Sequence, residues 1–263
     1  MKRTMVWVIG FMFCIMFSGF AMAEDITIVG TGSGAAILKA VGDSFSQNAA
    51  GVTVNVPKSI GSGGGIKAVG TDQEVIGRVA RQIKDKEKHY GLTYTPIVKM
   101  PIVFFVNKSV GIKGLTAQQV CGIYSGKVMN WNEVGGKDAK IRVIRRKKGD
   151  SSLGVLLKSF PGFKDITITA KSKTTLSDPE TCELCEKKAN TIAFGPYANA
   201  RTRNVDILEI NGKKATEADY ASMGILALVF KEENKKGVIA DFVTFATSPA
   251  VHDAIQRAGG VPL

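Results

Sequence analysis

Three times in this chain a strand-like stretch runs into a short loop of glycine and serine and then into a helical pattern. No other feature limits the fold as much. Residues 26–29 lead into Gly30-Thr-Gly-Ser-Gly34, and Ile37, Leu38, Val41 and Phe45 follow on one helical face. Residues 52–56 lead into Ser59-Ile-Gly-Ser-Gly-Gly-Gly65, with a short helix expected from Ile66. Residues 141–145 lead into Lys147-Lys-Gly-Asp-Ser-Ser152, and Leu153, Leu156, Leu157 and Phe160 then recur at helical spacing. Further strands are expected at 75–80, 166–169, 191–194 and 226–229. Residues 95–107 read as one long extended segment, because Pro96 and Pro101 oppose a helix. Thr116 with Gln119 has the spacing of a capping box, and Ser248-Pro249 that of a helix start. Alternation of this kind predicts an α/β fold with helices on both faces of the sheet.

The first 23 residues stand apart. Lys2 and Arg3 precede an apolar run from Met5 to Phe20, and Ala21-Met22-Ala23 supplies small residues at a cleavage site. This is the layout of a secretory signal peptide, and the run is too short and interrupted for a membrane span. The remaining chain of about 240 residues is long enough for two lobes with cores of their own. The whole sequence has 35 Lys and Arg against 23 Asp and Glu. Without Lys2 and Arg3 the balance is 33 to 23, or +10, which suits an anionic partner outside the cell membrane but names none. Cys182 and Cys185, with two residues between them in a chain expected to be exported, are expected to form a structural disulfide, while Cys121 reads as a small core residue.

The three loops share one physical use. A helix start offers unpaired backbone N–H groups and the positive end of the helix dipole. Glycine lets an anion come close to that backbone, and serine hydroxyls add donors. Three such loops, one of them beside Arg145-Arg146, point to a small oxyanion. At least one of the two arginines is expected to hold it. Other readings fit less well. The strand after Gly30, Gly32 and Ala35 ends without the carboxylate of a dinucleotide site, and no Gly-Lys-Ser/Thr loop occurs. There is no nucleophile elbow and no zinc helix motif, so neither catalysis nor a cofactor is expected.

Several pieces resemble the phosphate-binding component of bacterial phosphate ABC transporters, the PstS-like branch of the type II periplasmic binding proteins. They are Gly30-Thr-Gly-Ser-Gly34, Ile60-Gly-Ser-Gly-Gly-Gly-Ile-Lys67, Ile123-Tyr-Ser-Gly-Lys127, Asn130-Trp-Asn-Glu-Val-Gly-Gly136, Ile141-Arg-Val-Ile-Arg-Arg146 and the closing Gly260-Val-Pro-Leu263. The resemblance implies two α/β lobes joined by two crossing segments. Residues 24–103 and 224–263 would build one lobe and 104–223 the other. It implies a ligand set of Ser33 and Gly34, Ser62 and Gly63, Arg81, Arg146, and Asp150, Ser151 and Ser152. It further implies a monomeric periplasmic receptor that gives phosphate to an inner-membrane permease and has no nucleic-acid partner. Two positions depart from the pattern. Ala80 stands where phosphate-specific members carry a proton-accepting Asp, and Asp150 stands in place of a ligand serine. Asp150 is therefore read two ways, as a substitute proton acceptor or as a plain helix cap. Sulfate, molybdate or tungstate binding, a secreted phosphatase and a sensory protein are the alternative functions on the same scaffold.

Overall fold

A computed structural model describes residues 24–217 and 219–263; the expected signal peptide lies outside them. The first block runs β1 (Glu24–Gly30), α1 (Ala35–Asn48), β2 (Val52–Asn55), α2 (Gly61–Gly70), β3 (Ile76–Val79) and the 15-residue β4 (Thr93–Asn107). The middle block holds β5 (Gly114–Leu115), α3 (Ala117–Ser125), β6 (Arg142–Arg146), α4 (Ser151–Ser159), β7 (Lys173–Thr175) and α5 (Asp178–Lys187). It continues with β8 (Thr191–Pro196), α6 (Tyr197–Ala200), β9 (Val205–Ile207) and β10 (Glu209–Ile210). The chain closes with β11 (Met223–Phe230), α7 (Gly237–Ala246), α8 (His252–Arg257) and β12 (Val261–Pro262).

The strands follow the order β2-β1-β3-β11-β4-β8-β6-β7. Strand β4 connects the two halves of this path. Its first part pairs antiparallel with β11, from Thr93 opposite Phe230 to Pro101 opposite Met223. Its second part, from Ile102 onward, pairs with β8 and β9. The two extended segments thus lie side by side where the halves meet. The register shifts between Leu226 and Ala227, opposite Pro96. A proline has no N–H to give the ladder, so an irregularity is where a central strand can hold one.

Each half has its own core. Ile28, Ile37, Leu38, Phe45, Met100, Leu228 and Phe242 pack on one face of the first half, and α2 covers the other with Ile66 and Val69. In the second half, Ile102, Phe104 and Val106 of β4 point toward α3, α4 and the fully buried Trp131, while Val103 and Phe105 point toward α5 and α6. Covered on both faces, this strand reads as an unbroken apolar run rather than an alternation.

The structure revises three sequence expectations. Helix α2 starts at Gly61, ahead of Ile66, because the glycines let its first turn lie against the end of β1. A Cβ on Gly65 would sit 2.9 Å from the Cα of Gly30. Residues 166–169 form no strand. Ile166 and Ile168 pack on the core of the second half, but the ladder beside β6 is made by β7 instead. Cys182 and Cys185 are free thiols. Both face the core from α5, and burial pushes each thiol up to about 12, away from the thiolate that disulfide exchange requires.

One buried residue organises the loops of the first half. Arg78 of β3 has no exposed surface and, among the described residues, no carboxylate partner. Its guanidinium donates to the carbonyls of Thr31 (2.7 Å), Pro57 (2.6 Å) and Ile28. Burial pulls its pKa down to about 10, so it remains charged at neutral pH. It thereby ties the loop after β1 to the loop after β2. Gly30 has φ 137°, and a Cβ there would fall on the Arg78 carbonyl oxygen.

Two outcomes are expected. Arg78→Met leaves three carbonyls without their donor and should destabilise the protein by at least about 3 kcal/mol, read as a lower urea midpoint at unchanged slope. Thiol titration of folded residues 24–263 should reach Cys121 alone, and three thiols should appear on denaturation. One thiol under denaturing conditions would show that the Cys182–Cys185 pair is closed.

Candidate functional site

The halves face each other across a cleft of about 460 Å³. One wall is the start of α2, with Ser62 and Gly63. The other is the loop between β6 and α4, with Arg146, Lys147, Lys148, Gly149, Asp150 and Ser151. The start of α5 adds Leu176, Ser177 and Asp178. The charged groups on the lining are five cations (Arg81, Lys84, Arg146, Lys147 and Lys148) and two carboxylates (Asp150 and Asp178). With helix starts on both sides, the cleft presents backbone donors and positive charge to whatever enters it.

Each polar side chain is held by specific partners. Ser62 Oγ accepts a hydrogen bond from the Ala80 N–H at 3.1 Å, which leaves the hydroxyl proton free to be donated. Arg81 is clamped by Glu87, Nη1 to Oε2 and Nη2 to Oε1, both at 2.7 Å. The Arg81 hydrogen bond is the main reason the Glu87 carboxyl sits below its ordinary range. Arg146 is only 4% exposed. Its Nη2 donates to Asp150 Oδ2 at 2.6 Å and its Nη1 to Thr181 Oγ1 at 3.1 Å. Its Nε is buried and has no hydrogen-bond partner among the described residues, although Asp178 Oδ1 lies 3.4 Å away.

Asp150 is the helix cap. Its Oδ1 accepts from the Leu153 N–H at 3.1 Å, and its other oxygen holds Arg146. Both carboxylate oxygens are therefore engaged within the protein. The β-region backbone of this N-cap fits the capping reading of the sequence.

The sequence-derived residues divide into two groups. Ser62, Gly63, Arg81, Arg146, Asp150 and Ser151 line the cleft. Ser33, Gly34 and Ser152 lie behind its surface. Gly34 is the left-handed N-cap of α1, packed on Met100 and Leu226. Ser33 donates to Asp178 Oδ2 at 2.5 Å, and its oxygen is 3.4 Å from Ser151 Oγ. Ser152 Oγ lies 3.5 Å from Asp178 Oδ1.

Asp178 is the residue that sequence reasoning missed. It is 2% exposed and touches groups from both halves of the molecule. Burial pushes its carboxyl up to about 6, with Asp150 adding to the rise and Arg146 opposing it. The signal available was Ser177-Asp-Pro-Glu180, a helix start like the other three. It lacks the glycines that drew attention to the other loops. Among the described residues no group of His, Cys, Asp and Glu could hold a metal ion, and no helix is long and apolar enough to cross a membrane.

Comparison with known proteins agrees with this architecture. A family model described as the PBP superfamily domain matches residues 21–250. The phosphate-binding protein PstS of Bacillus subtilis is 25% identical over 239 residues, 88% of this chain and 78% of that protein. PstS of Borreliella burgdorferi is 24% identical over 219 residues, 76% of each. A Clostridium perfringens structure with bound phosphate, described as a candidate phosphate ABC transporter substrate-binding protein, superposes with a TM-score of 0.81. It is 24% identical, over 91% of this chain and 100% of that one. The fold is the two-lobed α/β fold of the type II periplasmic binding proteins, with β4 and β11 as its crossing segments. With the family model matched along nearly the whole described chain, the protein belongs to the PBP superfamily.

Proposed function

We propose that the protein is an exported receptor that captures phosphate in the cleft and hands it to an ABC transporter permease. The observation that carries this reading is the convergence at the cleft. The starts of α2 and α4 face each other across a space suited to a small anion. Ser62 has a free hydroxyl proton on one side, and the buried Arg146 guanidinium stands on the other. Residues 24–103 with 224–263 and residues 104–223 act as two lobes that close on the anion, in keeping with the separate cores on either side of β4. Gly63 and Ser151 contribute donors at the two walls, and Arg81, fixed by Glu87, adds charge at the rim. The protein works as a monomer, and residues 1–23 are the leader that exports it. The relatives named PstS are phosphate-binding proteins, and one similar structure holds phosphate. Binding is what this donor set supports, since it presents an anion with hydrogen bonds and positive charge.

The test is thermal unfolding against a panel of phosphate, arsenate, sulfate, molybdate and tungstate. At 100 times its dissociation constant the true ligand adds about 2.7 kcal/mol of stability. Phosphate is expected to give the largest shift; a larger one from molybdate or tungstate would replace it as the ligand. Arg146→Ala should weaken phosphate binding at least about tenfold in calorimetry, since a charged hydrogen bond contributes roughly 1.5–3 kcal/mol. Arg146→Lys should recover part of the loss, because one ammonium cannot reproduce the guanidinium fork. Ser62→Ala removes one neutral donor and should cost about 1 kcal/mol.

A further inference from the structure

We propose that a second cavity, at the end of β6 away from the cleft, is a binding site for an amphiphilic carboxylate: an apolar body rests on its floor and the carboxylate head is held by a cationic rim. The cavity measures about 760 Å³, against about 460 Å³ for the cleft, and the two share no lining residue. It is built wholly from the second half of the molecule, so it stands or falls apart from the phosphate reading.

The cavity exists because residues 166–169 do not join the sheet. Strand β7 runs beside β6 only from Ile144 to Arg146, so residues 141–143 of the chain lie beyond its end. The segment before β7 is drawn away toward α3 instead. The Thr169 N–H donates to the Tyr124 carbonyl at 2.8 Å. Gly126, the left-handed C-cap of α3, lets it pass closely, since a Cβ there would lie 3.0 Å from Thr169 Oγ1. The space left at the sheet edge is floored by apolar side chains. Ile123 and Val143 are buried at the bottom, Val128 and Leu184 are half-buried, and Met129 is 53% exposed.

The rim has one sign of charge. Lys140, Arg142, Lys171, Lys173 and Lys188 line the cavity with their residues exposed, and no Asp or Glu lines it. Among the described residues none of the five forms an ion pair. The contrast on α5 is direct: Lys187 pairs with Glu183 at 2.5 Å, whereas Lys188, the next residue, turns to the cavity unpaired. Arg142 is fixed in place by donating to the Ala189 carbonyl at 3.1 Å. Like charges gathered over low-dielectric walls concentrate a positive field, which an anion relieves. Charge and floor together define the ligand. A bare inorganic anion gains nothing from the apolar floor, and a neutral apolar molecule leaves the rim unanswered. A flat anionic membrane surface meets the lysines but does not reach the recessed Ile123 and Val143. A concave, mainly apolar site of roughly 300–1,000 Å³ with a few charged groups is the form that takes a small organic molecule. The exposed thioether of Met129 can adapt to the shape of its apolar part.

Calorimetric titration of residues 24–263 with sodium decanoate tests this, beside acetate, decyltrimethylammonium and vesicles of phosphatidylglycerol. Decanoate should bind saturably, one per chain, and more weakly as salt is added. Acetate, which has the head without the body, and decyltrimethylammonium, which has the body with the opposite charge, should not bind. Lys173→Glu combined with Lys188→Glu should weaken decanoate about tenfold or more, the effect of losing one charged contact. Met129→Glu, which puts a charge on the floor, should do the same. Neither variant should alter the response to phosphate, and phosphate should not displace decanoate. Equal binding of the cationic detergent, decanoate binding unmoved by both variants, or displacement by phosphate would each overturn the proposal. So would retention on the vesicles without decanoate binding, which would make this face a membrane contact. If a variant fails to fold by circular dichroism, the parent chain's choice among decanoate, acetate and decyltrimethylammonium decides the matter.

Discussion

The anion cleft depends on a cation that never touches it. Arg78 is buried in β3 with no counter-ion among the described residues, and its donors go to backbone carbonyls in β1 and in the loops after β1 and β2. Carbonyls bonded to this guanidinium hold the chain in one conformation, and the N–H groups further along the same loops are then aimed consistently. Gly30 and Gly65 let the chain close over the arginine, because a Cβ at either would strike backbone. A loop rich in glycine has many conformations open to it in the unfolded chain. Buried hydrogen bonds to a charged group are the kind of interaction strong enough to select one of them.

Across the cleft the principle is similar but the charges are balanced. Arg146 is paired with Asp150, which also caps α4, so one carboxylate positions the guanidinium and begins the helix. Arg81 on the opposite wall is held by Glu87 in the same manner. The two arginines are thus oriented before any ligand arrives, and little side-chain entropy remains to be lost on binding. This orientation has an electrostatic consequence. Each arginine has much of its charge offset by its partner, so helix starts and hydroxyls account for a larger share of the attraction for an anion. Lys84, Lys147 and Lys148, which form no ion pair among the described residues, lie on the lining as well and favour the approach of negative charge.

Much of this could be read from residue order. The alternation of strands, Gly/Ser loops and helices carried the α/β class, because period and punctuation are local properties of the chain. The Thr116–Gln119 capping box formed as its spacing implied. Ser62, Arg146 and Ser151 reach one cleft as their loops suggested. Misreadings arose where local signals were ambiguous. Residues 166–169 have a strand-like pattern, yet their apolar side chains are used for packing and their backbone never joins the sheet. The Cys182–Cys185 spacing suits a disulfide in an exported chain, but on α5 the two thiols point into an apolar core.

By itself the sequence determined the elements and the kind of chemistry their loops can do. Helix starts, hydroxyls and arginines keep their donors wherever the chain places them. Tertiary structure alone decided which donors remain free. Ser33 appeared available as a ligand, but folding directs its proton to Asp178, 145 residues away in sequence. Asp150 became the cap of α4 and the partner of Arg146 only once the fold placed Leu153 and Arg146 against its oxygens. Asp178 carried no signal beyond an ordinary helix start. It became a buried carboxylate at the cleft because the two lobes meet over it, and contacts between distant segments leave no mark on local spacing.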